Sequence, residues 1–143
     1  MKVNQFQPYI GNEEYESIKE CFDINWITEG PKAKEFSKKL CNLIGCKYGV
    51  FAPNGTLSLY LGLKAIGIKP GDEVLVPNFT FIASANAVEM IGAKPIFVDI
   101  NIDTLHIDLD KCNKLITTKT KAIMPVHIYL SLIHISEPTR RTP

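Results

Sequence analysis

Long apolar runs are missing from this 143-residue chain. Charge or glycine breaks each stretch well before the roughly 20 residues that a bilayer-spanning helix needs. The opening MKVNQFQPYIGNEEYE lacks an apolar h-region, so it is expected to be mature protein and not a signal peptide. An excess of either charge is missing as well. Sixteen Lys+Arg against fifteen Asp+Glu leave a formal +1, which gives no global pull toward nucleic acid or an anionic membrane. Cysteine patterns for a metal are absent. Among Cys21, Cys41, Cys46 and Cys112 there is no C-x-x-C pair. Cys41 and Cys46 stand five apart across an expected helix end, a poor zinc spacing, and His106, His127 and His134 do not cluster with them. No metal site is expected, and the cysteines read as buried free thiols of a reducing compartment. No Ser/His/Asp set or carboxylate pair has persuasive spacing, and no internal repeat is visible.

What is present is a globular balance, 45% apolar and 22% charged, at a length for one ordinary domain. Asn12 reads as an N-cap ahead of Glu13 and Glu14, and Tyr15, Ile18 and Phe22 form a helical stripe. Pro31 starts a second helix carrying Phe36, Leu40 and Leu43, with Gly45 beyond its end. From Tyr48 the pattern changes to strand–helix alternation. Strands are expected near 48–52, 73–77, 95–99 and 121–127. Helices are expected from Leu57 to Ile66, Phe81 to Ile91 and Leu109 to Ile116. Apolar strands that do not alternate, separated by helices, predict an α/β fold: three layers, α/β/α, around a mainly parallel sheet.

Three places are candidates for chemistry. Asn54-Gly55-Thr56 lies between a strand and a helix. There free backbone N–H groups, a glycine and a hydroxyl can cradle a phosphate; an ordinary capped turn explains the same residues. Pro77-Asn78-Phe79-Thr80-Phe81 lies at a strand's carboxyl end, the edge where open α/β sheets bind ligands. Phe81, expected to open the next helix, is placed to stack on a flat ring, and core packing is the ordinary alternative. Trp26-Ile27-Thr28-Glu29-Gly30-Pro31 puts the only Trp in a loop between two helices, as a hydrophobic anchor or a substrate rim. Asp99 and His127 end strands and read equally as site residues or polar caps.

These segments recur in one order: Gly30-Pro31, Asn54-Gly55-Thr56, Gly71-Asp72-Glu73-Val74, Thr80 to Ala87, Gly92-Ala93-Lys94-Pro95, Phe97-Val98-Asp99 and Lys119 to Ile123. In order and spacing they resemble the DegT/DnrJ/EryC1/StrS family of sugar-nucleotide aminotransferases over roughly residues 3–129. The nearest likeness is to its perosamine-synthase-like members of surface-polysaccharide pathways. The resemblance implies that residues 1–129 are an incomplete large domain of fold type I, the pyridoxal-5′-phosphate (PLP) fold. It implies that Gly55 and Thr56 hold the cofactor phosphate and that Phe81 stacks on the pyridine ring. Trp26 and Thr28 match a loop near the sugar-nucleotide pocket. It implies sugar-nucleotide and amino-acid substrates, glutamate among the latter, a homodimer in the cytoplasm, and neither nucleic acid nor membrane as partner.

Transamination also needs a Lys that forms a Schiff base with PLP and an Asp against the pyridine nitrogen. In the family both follow the stretch matched here, and no lysine of this chain matches the Schiff-base motif. No catalytic residue is therefore assigned. Two alternatives stand beside the aminotransferase: a truncated, non-catalytic domain, and a PLP-dependent sugar dehydratase with His in place of that Lys. Residues 130–143 break the pattern. Ser131 to Arg140 resemble translated sequencing-adapter DNA, so the tail is expected to be foreign and disordered. As part of a larger domain, the chain is expected to expose apolar surface at Phe22, Phe36, Leu40 and the Val74–Val76 strand.

Overall fold

The computed structural model describes residues 7–130, in two units that meet in sequence between Phe51 and Ala52. The expectations for the tail after Leu130 lie outside the described residues.

The first unit carries two helices, α1 (Asn12–Asp23) and α2 (Pro31–Ile44). The cap of α1 is Gly11, one residue earlier than expected, and Asn12 is the first helical residue. The Gly11 N–H donates to the Glu14 carboxylate at 2.7 Å, so the acid three residues on does the capping. Pro31 occupies the first turn of α2, where a missing N–H costs nothing. Gly45 ends α2 at φ 70°, a left-handed backbone that glycine adopts without a Cβ penalty. Neither helix has a buried residue.

The expected strand at 48–52 does not form. Tyr48 and Val50 are exposed, and none of the sheet's strands pairs with this run. An apolar run becomes a strand only when a neighbour takes its N–H and C=O groups.

The second unit is the folded core. It runs α3 (Gly55–Ala65), β1 (Glu73–Pro77), α4 (Ala83–Glu89), β2 (Lys94–Val98), α5 (Leu109–Leu115) and β3 (Thr120–Ile123). The sheet order is β2-β1-β3, with both pairings parallel. β1 has the bounds read from Val-Leu-Val closed by Pro77. β2 starts one residue early, and β3 stops at Ile123, short of the expected 127. Pro95 is tolerated because β2 is an edge strand. α4 is shorter than expected at both ends, so Phe81 precedes the helix and does not open it.

Successive residues of β1 face opposite sides. Val74 and Val76 pack with Leu63 of α3 and Ala87 and Val88 of α4. Leu75 packs on the other face with Val98, Ile107 and Cys112 of α5. These clusters cover both sides of the sheet, which is the three-layer arrangement expected. They also reverse one expectation, because Val74, Leu75 and Val76 are all fully buried. Phe22, Phe36 and Leu40 are exposed, as expected. Of the four cysteines only Cys112 is buried, against the expectation for all four. The buried carboxylate of Asp72 accepts the Lys69 N–H at 3.0 Å, closing the turn into β1.

Candidate functional site

Asn54 is the N-cap of α3. Its side-chain oxygen accepts the Leu57 N–H at 3.0 Å, and its carbonyl accepts the Ser58 N–H at 3.0 Å. The first two amides, those of Gly55 and Thr56, have no acceptor within the helix geometry. The first turn holds no acidic residue. A Cβ at Gly55 would meet nothing within 4 Å, so space is open there. Free N–H donors, the positive end of a helix dipole, a neighbouring hydroxyl and no carboxylate suit a phosphate group.

The connection from α3 through Gly67 to β1 is short, and Leu63 and Ile68 join Val74 in one cluster. α3 therefore runs back against β1, which brings its N-terminus to the sheet's carboxyl edge. α4 follows β1 directly, so its start lies at that edge as well. Phe81 is 73% exposed, which excludes core packing as its role in this chain.

The same edge holds a polar set that spacing alone did not reveal. Asn78 donates from Nδ2 to Asp99 Oδ1 at 2.6 Å, and its backbone N–H donates to Val98 O at 2.8 Å. Lys111 Nζ lies 3.2 Å from Asp99 Oδ2. Thr80 and Ser84 hydroxyls are 3.1 Å apart. Asp99 is thereby a bridge between β1, β2 and α5. The signal for it was a polar residue just past both β1 and β2. His127 is exposed, and its ring meets the His106 ring edge-on at 5.7 Å.

Trp26 and Thr28 belong to the first unit, and Gly55, Thr56 and Phe81 to the second. Thr28 is exposed in a bend. Trp26 donates its indole N–H to Glu29 O at 2.6 Å and covers Gly30. A Cβ at Gly30 would come within 2.4 Å of the indole. Gly30 is therefore what lets the indole come this close to the backbone, a role its place beside Pro31 did not disclose. Trp26, Ile24, Pro31 and Lys34 line an open cavity of about 410 Å³. Among the described residues no cluster of three or more His, Cys, Asp or Glu suits a metal, and no helix is long and apolar enough to cross a membrane.

A parallel sheet covered on both faces, with a capped helix N-terminus and polar side chains along its carboxyl edge, defines a ligand-binding α/β domain. Residues 8–137 match the DegT/DnrJ/EryC1/StrS aminotransferase family, and the chain belongs to that family. It is 43% identical over 129 residues to a GDP-perosamine synthase of Caulobacter vibrioides, covering 90% of this chain and 35% of that protein. A putative sugar aminotransferase of Streptococcus pneumoniae, solved in its PMP form, superposes with a TM-score of 0.80 at 37% identity. That match covers 85% of this chain and 31% of the other. A GDP-4-keto-6-deoxymannose-3-dehydratase, solved with a trapped PLP-glutamate geminal diamine, gives 0.78 at 27% identity, covering 87% and 34%. The chain spans about a third of the length of the curated relatives it matches. The fold is that of the PLP fold type I aminotransferases, of which this chain carries a part.

Proposed function

We propose that residues 1–129 are the N-terminal part of the large domain of a PLP-dependent enzyme. That enzyme moves an amino group from an amino acid, glutamate, to a keto-sugar nucleotide. The place of the reaction is surface-polysaccharide or amino-sugar biosynthesis in the cytoplasm, with a homodimer as the working form. Residues 130–143 are foreign to it. The observation that carries this reading is Asn54-Gly55-Thr56 at the capped start of α3, within a family match that runs nearly the length of the chain.

In this reading the Gly55 and Thr56 amides and the Thr56 hydroxyl donate to the cofactor phosphate. Phe81 offers its open ring face to the cofactor ring. Trp26 and Thr28 face the sugar nucleotide. PLP, when bound, supplies an electron sink for the carbon that loses its proton. The lysine that anchors it covalently is not among the lysines of this chain, so the chain alone binds PLP without transaminating.

Titrating the chain with PLP and, separately, with inorganic phosphate tests this. Thr56→Val is expected to weaken both ligands about tenfold or more, as loss of a hydrogen bond to a charged group does. Phe81→Leu is expected to weaken PLP alone. Borohydride treatment is expected to label no lysine. Equal affinities in both variants would remove the cofactor assignment, and a single labelled lysine would remove the claim of inactivity. The likeness to a sugar dehydratase supports a second reading, with His in place of the anchoring Lys. Sequencing downstream codons and reading that residue separates the two.

A further inference from the structure

Two cysteines that fit no metal pattern meet at the end of α2. Counting back from the left-handed Gly45, Cys41 and Cys46 take the two positions of a helix C-cap whose side chains characteristically touch. The Cys46 N–H donates to Cys41 O at 3.0 Å. That bond keeps the two Cα atoms less than about 7 Å apart, near the span of a disulfide. A second observation places the sulfurs themselves. Cys46 Sγ contacts Tyr48 O at 3.4 Å, and Cys41 Sγ lies 2.9 Å from where a Cβ of Gly49 would stand. Both sulfurs thus border the same Tyr48–Gly49 peptide, and glycine at 49 leaves room for one of them. The Cys46 thiol is hydrogen-bonded to the Cys41 thiol, which makes the sulfurs neighbours; that bond, then burial, pushes the Cys46 thiol above its ordinary value, so the attacking thiolate forms in the alkaline range. Both cysteines, with Lys38 and Lys47, line an open cavity of about 840 Å³, so small reagents reach them.

We propose that Cys41 and Cys46 are a reactive dithiol that closes to an intramolecular disulfide at the expense of a low-molecular-weight disulfide. Cys46, the more exposed, attacks as thiolate one sulfur of R–S–S–R, forms a mixed disulfide and releases the first thiolate. Cys41, as thiolate, then attacks Cys46 Sγ, forms the Cys41–Cys46 bond and releases the second. The two thiol protons end on the two released RSH molecules. The protein loses two electrons and the small disulfide gains them. The closed form staples the segment after Gly45 to the last turn of α2.

Trypsin cuts after Lys39 and after Lys47, so one peptide holds both cysteines, while Cys21 and Cys112 fall in others. The chain is incubated with oxidised glutathione, alkylated without reduction and mapped by mass spectrometry. The expected result is a Leu40–Lys47 peptide lighter by two hydrogen atoms that has lost both alkylation sites. The Cys112 peptide still takes the alkylating reagent. In Cys41→Ser, a single glutathione adduct is expected to persist on Cys46. The proposal is overturned if the wild-type peptide keeps one or two adducts without closing. It is equally overturned if either cysteine bridges to Cys21 or Cys112, or if both remain thiols while Cys21 has reacted.

Discussion

The two units of this chain were built by the same helical periodicity and ended differently. In α1 and α2 the apolar stripe is present, yet Phe22 is 67% exposed and Phe36 55%. In the second unit, Leu75 and its neighbours in β1 reach zero exposure because helices close over both faces of the sheet. Periodicity therefore dictates that a helix forms and which face is apolar. Burial depends on whether a second surface is there to meet it, and most helical stability comes from that meeting.

The sharpest test of this contrast is truncation on each side of it. Leu75→Ala is expected to cost about 2–5 kcal/mol in urea unfolding, because it opens a cavity in a closed cluster. Phe36→Ala is expected to cost about 1 kcal/mol or less. Its ring only stacks on Phe51, at 5.8 Å between centroids, from an exposed site. Equal costs would break the comparison. Hydrogen exchange maps the same difference: amides of α1 and α2 are expected to exchange orders of magnitude faster than those of β1. Uniform protection would count against it.

Two glycines give a finer reading. Gly92→Ala is expected to cost about 1–2 kcal/mol, from φ 81° and from a Cβ 3.2 Å from Pro70. Gly45→Ala carries the same backbone strain without any contact within 4 Å. It is expected to leave the unfolding of the second unit unchanged, as monitored by exchange at β1. The smallest effect concerns Glu14. Its carboxyl lies below the usual carboxylate range because it accepts the Gly11 N–H. A lowered folded value contributes stability that is present above the unfolded value, about 4.3, and is lost as pH falls through the folded one. A slight loss of helical circular dichroism in that acid range, absent in Glu14→Gln, is expected.

β1 was legible to the residue, since Val-Leu-Val between Asp72 and Pro77 leaves little choice of bounds. The helix after Asn54 was legible as a helix, but it begins at Gly55, two residues before the Leu57 expected, because the Asn54 side chain caps it. What stayed hidden was relational. Tyr48 to Ala52 has strand composition but no partner to make it one. The bridge of Asn78, Asp99 and Lys111 joins residues 21 and 12 positions apart, and only the sheet register brings them together. The close approach of Trp26 to Gly30 is a matter of loop geometry, which no periodicity encodes. The meeting of Cys41 with Cys46 follows from a helix ending that the sequence does show; the metal-spacing rule looked past it.

The sheet order has a consequence for the chain as it is being made. β1 is the central strand, yet it is the first of the three to leave the ribosome. Its first partner, β2, ends 21 residues later, and its second, β3, ends only at Ile123. At about 5–20 residues per second, β1 waits several seconds with one side of its backbone unpaired. For that interval Val74, Leu75 and Val76, dry in the finished fold, are the stretch most in need of a chaperone's cover.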